Sequence, residues 1–144
     1  MSIQSILGHK GNKVVTIPPD TTVGVAALRL RLDRIGAIII TGGDRRIEGI
    51  LSERDIVHGL AEHGAAVIDM PVSALMSRNV LTCKPDAEIR DVMRLMTLHH
   101  IRHVPVAENG VLRGIVSIGD VVKSRLDDME LEANVLRDYA VAHN

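Results

Sequence analysis

The sequence predicts an α+β fold: two tandem β-α-β-β-α units packed about a pseudo-twofold axis, followed by an extended C-terminal helix. Three observations point to it. A seven-residue stretch occurs twice, as Gly49-Ile-Leu-Ser-Glu-Arg-Asp55 and as Gly114-Ile-Val-Ser-Ile-Gly-Asp120, sixty-five positions apart. With an offset of sixty-six, Val14-Val-Thr-Ile-Pro-Pro-Asp20 falls on Val80-Leu-Thr-Cys-Lys-Pro-Asp86 and Ile35 falls on Ile101, so the elements follow the same order in both copies. Beyond the second copy, apolar residues recur at alternating spacings of four and three, the period of a helix that pairs. A chain of 144 residues suffices for two small repeats that share a core, whereas each alone has too little to bury.

Each copy is preceded by a short match, Ile3 to Leu7 against Val72 to Met76, which reads as a helical turn leading into the first strand. Val14 to Thr16 and Val80 to Cys83 read as those strands, each followed by a Pro and an Asp that can cap the next element. A helix comes next: Val23, Ala26, Ala27 and Leu30 fall on one face, and Ile89, Val92, Met93 and Met96 do the same in the second copy. Ala37 to Thr41 and Val104 to Ala107 are apolar middle strands. Turns at Gly42-Gly43-Asp44 and Glu108-Asn109-Gly110 join them to third strands at Ile47 to Leu51 and Val111 to Val116.

The only plausible linker, His63 to Pro71, is too short to separate independent domains. The expected organisation is a first repeat with its N-terminal helical turn over 1–68, a second repeat over 69–125, and a helical extension over 126–144. This last helix runs to about Val141. Its seam of Val122, Leu126, Met129, Ala133, Leu136 and Ala140, widened by Leu131, Val135 and Tyr139, either covers its own protein or forms a symmetric homodimer contact. The homodimer is expected, because isologous twofold contacts are the commonest assembly.

Composition narrows the classes of function. Hydrophobic residues make up 46% and charged residues 24%, with one Tyr and no Phe or Trp, so the core must be aliphatic. Seventeen Lys and Arg against eighteen acidic residues give no positive field for nucleic acid, and the missing aromatics remove base-stacking platforms. Cys83 is the lone cysteine and cannot form an intrachain disulfide. The start of the chain shows no basic region followed by an apolar core, and no apolar run approaches the roughly 20 residues a membrane helix needs. A cytoplasmic protein without nucleic-acid or membrane partners is expected.

The strongest candidate site residues are Ser117 and Asp120, with Ser52 and Asp55. At a helix start, free amides and the positive end of the macrodipole favour a phosphate, and an Asp in the first turn can accept both hydroxyls of a ribose. Ser-x-x-Asp is equally a capping box, which contributes about 1 kcal/mol with no ligand. Two caps alone do not require the Gly, the Ile and the matching strand before them. Arg102 and His103, at the junction of the second copy's first helix and middle strand, could face a phosphate. The first copy has Gly36 and Ala37 there, and Arg54 can supply its own cation. Two unequal sites are therefore expected, with the Asp120 site the better equipped.

These residues resemble the tandem cystathionine β-synthase (CBS) domain pair, or Bateman module. Val-x-Thr followed by Pro-Asp, Ile101-Arg-His-Val-Pro-Val106, and Gly-Ile-Val/Leu-Ser-x-x-Asp in both copies carry the likeness over roughly Ile3 to Lys123. The resemblance implies clefts between the repeats that bind adenosine-containing ligands such as AMP, ADP, ATP, NAD or S-adenosylmethionine. It also implies that Asp55 and Asp120 hold ribose, and that Ser52, Ser117, Arg102 and His103 hold phosphate. By the same resemblance, the first strand of the opposite repeat walls each adenine pocket, with Val80 and Thr82 serving Asp55 and Val14 and Thr16 serving Asp120. Gly36-Ala37 departs from the pattern.

Other constellations are weaker. His99 and His103 have helical metal-ligand spacing, but a strand beginning near His103 would break it, and no metal site is expected. Cys83 lacks an evident base and reads as a buried thiol, while Met93 and Met96 read as core fillers. Gly42-Gly43 is a turn with no phosphate-loop lysine after it. With no nucleophile beside a base and no paired carboxylates, the expected function is a non-catalytic regulatory sensor that requires no cofactor. It would bind an adenine nucleotide (AMP, ADP or ATP) or NAD as a regulatory ligand and signal occupancy to an unidentified protein target. The alternatives are a constitutive interaction module with vestigial clefts, and an enzyme built on His99, His100, His103 or Cys83.

Overall fold

A computed structural model describes residues 2–11 and 13–143. The chain begins with helix α1 (Ile3–Lys10), longer than the single turn expected. The first repeat then runs through β1 (Thr16–Ile17), α2 (Val23–Leu32), β2 (Ala37–Thr41), β3 (Ile47–Ser52) and α3 (Glu53–His63). The second comprises α4 (Ile89–His99), β4 (His103–Glu108), β5 (Val111–Ser117) and α5 (Ile118–Ala142). The middle and third strands stand where the sequence places them, as do α2, α4 and α5, whose apolar spacing predicts them, and α3, which starts at Ser52.

In the first repeat β1 pairs parallel to β2, and β2 pairs antiparallel to β3 with Ile39 opposite Ile50. In the second, β4 and β5 form an antiparallel hairpin with His103 opposite Ser117. Its two-residue connection, Asn109-Gly110, has φ of 54° and 79°, the left-handed pair that an Asn-Gly hairpin turn requires. The first hairpin instead closes through a short 3-10 turn at Gly43–Arg45.

The first strands are shorter than expected. Val14 and Val15 lie outside the sheet, and Val80 to Cys83 contributes one parallel bridge, Cys83 to Val106, held by Cys83 N–H to the Pro105 carbonyl at 3.0 Å and Ala107 N–H to the Cys83 carbonyl at 2.9 Å. Pro18, Pro19 and Pro85 lack the amide that would carry either strand further on, but the positions that fall out of the sheet, Val14, Val15 and Val80 to Thr82, precede them.

Two aliphatic cores form, and each is completed by the segment that precedes the other repeat. Ile3, Ile6 and Leu7 of α1 pack with Ile89, Val92, Met96, Val104, Val116 and Val121 of the second repeat. Val72 and Met76, which precede the second repeat, pack with Val23, Ala26, Ile38, Ile40 and Leu51 of the first. Backbone bonds fix the exchange, from Ile3 N–H to the Ala87 carbonyl at 2.9 Å and from Val72 N–H to the Thr21 carbonyl at 2.8 Å.

The repeated glycine finds its reason here. A Cβ on Gly49 would stand 2.5 Å from Met76 Sδ, and one on Gly114 would stand 2.8 Å from Leu7 Cδ2. A side chain at either position would push Met76 or Leu7 of the exchanged segment away from the third strand.

Helix α5 leaves the second core early. Val121 and Ser124 are buried, but Leu126, Met129, Leu136 and Tyr139 are exposed, so the apolar seam does not cover its own chain.

Candidate functional site

The repeated Ser-x-x-Asp forms a complete capping box in both copies. Asp55 N–H donates to Ser52 Oγ at 3.3 Å, and Ser52 N–H donates to Asp55 Oδ2 at 2.8 Å. The equivalent bonds at Ser117 and Asp120 are 3.1 and 2.9 Å. A further bond in each copy ties the helix start to the preceding junction, Glu53 N–H to the Gly36 carbonyl at 3.1 Å and Ile118 N–H to the Arg102 carbonyl at 2.8 Å. Two of the first-turn amides are thus already bonded. An anion at these helix starts would meet mainly side chains.

The cap at Asp55 opens onto a cleft of about 430 Å³. Ser52, Arg54 and Asp55 form one wall, Val80 and Leu81 another, and Arg102 and His103 a third. Val80 stands where the family resemblance puts it, whereas Thr82 is exposed and does not line the cleft. Val14 and Thr16 are half-buried and line neither this cavity nor the recess beside it.

Arg102 and His103, expected at the Asp120 site, line the Asp55 cleft, although His103 also feels the Asp120 charge. The reason lies in Gly36. A Cβ there would sit 2.8 Å from His103 Cε1, so the start of β4 abuts the start of β2, and the glycine leaves room for the imidazole. The basic groups that the first repeat lacks are supplied to it by the second.

At Asp120 the surroundings differ. Lys10, at the end of α1, donates to Asp120 Oδ2 at 2.7 Å and to the Ile115 carbonyl at 2.9 Å. Burial works against the Asp120 charge, but the Lys10 ammonium and the bonds from Ser117 outweigh it and hold the carboxyl below its usual range. Continuing the match of Ile3 with Val72 carries Lys10 onto Asn79, which lines the Asp55 cleft. The same position thus holds an ammonium at one carboxylate and a neutral amide near the other. That alignment is the signal by which Lys10 could have been found in the sequence.

His103 is half-buried. Its burial pushes the imidazole below the ordinary histidine range, aided by Lys10 and Arg102 and opposed by Glu53 and Asp120, so the ring is neutral at pH 7. Burial raises the Cys83 thiol to about 11, which leaves it protonated and unreactive. Helix α4 ends at His99, and His100 takes a left-handed conformation, so His99 and His103 do not share a helical face. Among the described residues, no group of three His, Cys, Asp or Glu is placed to hold a metal ion, and no helix is long and apolar enough to cross a membrane.

Fold and cleft together define a paired-repeat module with a pocket whose walls come from both repeats. The CBS domain family model matches residues 10–62 and 72–127, and the chain belongs to that family. The structure is similar to that of a CBS-domain protein from Agrobacterium tumefaciens, with 44% identity, a TM-score of 0.84 and coverage of 87% of this chain and 99% of the other. It also resembles a CBS domain protein from Pyrobaculum aerophilum complexed with AMP, at 27% identity, TM-score 0.79 and coverage of 92% and 99%. A third likeness is to a CBS domain pair in complex with 5′-methylthioadenosine and S-adenosyl-L-methionine, at 25% identity, TM-score 0.77 and coverage of 90% and 98%. The chain spans 69% of a curated relative from Acidianus ambivalens, to which it is 34% identical over 116 residues.

Proposed function

We propose that this chain is a non-catalytic regulatory module that binds an adenosine-containing ligand in the Asp55 cleft and transmits its occupancy to a protein partner in the cytoplasm. One observation carries the reading: a carboxylate on a capped helix start opens onto a cavity walled by apolar Val80 and by the basic groups Arg54, Arg102 and His103. Asp55 would hold the ribose hydroxyls, Val80 and Leu81 would flank the base, and the basic wall would meet phosphate. The AMP complex of the Pyrobaculum relative supports the ligand class. A ligand that bridges walls from two repeats favours one relative arrangement of them, which is what a signal requires.

The exposed stripe of α5 supports self-association as a homodimer, since Leu126, Met129, Leu136 and Tyr139 otherwise face water. The same stripe would serve a constitutive interaction protein, and ligand response separates the two readings.

Thermal melts with AMP, ADP, ATP, NAD and S-adenosylmethionine test the proposal. A binder at a hundredfold excess over its dissociation constant should stabilise the fold by about 2.7 kcal/mol. No shift with any of the five sinks the sensor reading and leaves the interaction module.

A further inference from the structure

We propose that α5 pairs with the α5 of a second copy of this chain, parallel and in register, as a two-stranded coiled coil. This inference rests on the reading of the chain as a homodimer and adds the orientation of the pair. Beyond Ser124 no residue of α5 is buried, which leaves Arg125 to Ala142, about 27 Å of helix, clear of the core. Helices owe most of their stability to the packing of an apolar face, and this stretch has none in its own chain. The spacing of its seam sets Leu126, Ala133 and Ala140 at a and Val122, Met129 and Leu136 at d of a heptad. At about 100° per residue, Val121 and Ser124, which face their own core, lie roughly 130° round the helix from that seam. The two modules would therefore sit outside the pair and leave the helices free to meet.

Charge selects both the occupant and the direction. Lys123, Arg125, Glu130, Glu132 and Arg137 border the seam at the e and g positions, all of them exposed, and none takes part in an ion pair among the described residues. In a parallel pair each g position meets the e position of the next heptad on the other helix. Arg125 then faces Glu130 of the partner subunit, Glu132 faces Arg137 of the partner subunit, and symmetry doubles both contacts. With the helices antiparallel and the seams overlapped, Val122 faces Ala140 of the partner subunit and the charged contacts join like signs. Glu130 and Glu132 would each meet their own copy, and Lys123 would meet Arg137 of the partner subunit. The strip complements itself in one direction and repels itself in the other, a property suited to a second copy of the same chain.

The test is sedimentation equilibrium of the full chain, with circular dichroism to show that each variant is folded. The wild type should be a dimer and Leu126→Glu a monomer, whereas Leu131→Glu, which lies off the seam, should stay dimeric. Glu130→Arg should weaken the dimer about tenfold, because symmetry makes the reversal count twice, and adding Arg125→Glu should restore it. Orientation is read from disulfide formation in Ala140→Cys, with the wild type and its half-buried Cys83 as the control. In the parallel pair the introduced thiols face each other and link under mild oxidation, and in the antiparallel pair they stand about 27 Å apart. A dimer that survives Leu126→Glu, dissociates in Leu131→Glu, ignores the charge reversal or fails to link through Ala140→Cys would overturn the parallel pairing while the homodimer stands. A monomeric wild type would overturn both.

Discussion

Replacing Lys10 by Met removes an ammonium that makes two bonds, 2.7 Å to Asp120 Oδ2 and 2.9 Å to the Ile115 carbonyl, and keeps most of the aliphatic stem. The two side chains are 33% and 25% exposed, so the pair falls between a surface ion pair, of about 0.2–1 kcal/mol, and a charge-assisted hydrogen bond of about 1.5–3 kcal/mol. About 1 kcal/mol is the expected loss at pH 7, which for a chain of 144 residues lowers Tm by about 3 °C. The pH dependence is the sharper readout. Asp120 is held below its ordinary pKa, so its contribution is complete above the unfolded value, near pH 4, and disappears as pH falls through the folded value. The gap in Tm between wild type and Lys10→Met should therefore be full at pH 7 and narrow below about pH 4, and 1 M salt should shrink its ionic part. Differential scanning calorimetry across pH 2.5–7, a range chosen to bracket about pH 4, measures this directly. A gap that stays constant over that range, or that is absent at pH 7, refutes the assignment of Lys10 as the partner of Asp120.

Three further outcomes follow from the geometry. Asp55→Ala and Asp120→Ala should each lose about 1 kcal/mol of capping in chemical denaturation, but only Asp55→Ala should abolish nucleotide-induced stabilisation; loss of the response in Asp120→Ala instead would return the site to the second repeat. His103 is depressed below about 6.5, so its contribution to unliganded stability is present above that pH and lost as pH falls towards the folded value. A phosphate beside it favours the imidazolium, so nucleotide affinity should rise from pH 7.5 to 6, a span set about that value, and His103→Asn should flatten the slope in titrations at both ends. Truncation after Lys123 should convert a dimer to a monomer by light scattering; an unchanged mass would show that the α5 stripe is not the contact.

Features fixed by neighbours in sequence were legible. The capping boxes at Ser52 and Ser117 and the Asn109-Gly110 turn need only a few adjacent residues, and the strands and amphipathic helices need only their periodicity. What required the third dimension was not. The repeat offset shows that Arg102 and His103 correspond to Gly36 and Ala37, but near-symmetry does not reveal which carboxylate a central residue faces. In the fold His103 lies against Gly36 and lines the Asp55 cleft while still feeling the Asp120 charge. The first strands are shorter than their apolar residues suggest, because Val14, Val15 and Val80 to Thr82 have no ladder partner among the described residues. Lys10 falls outside the strand alignment, because the leader segments match at an offset of sixty-nine and the first strands at sixty-six.

The exchange of those leaders makes the module a clasp. Each hand closes on the other's wrist: α1 is gripped by the second repeat, and the segment at Val72 to Met76 by the first. Neither repeat has a finished interior by itself, so the chain should fold in one step, and a fragment holding 69–144 would present bare aliphatic surface where Ile3, Ile6 and Leu7 belong. A cleft walled by both halves of such a clasp cannot change shape by loosening one side. Whatever a ligand does at Asp55, it must do to both cores together.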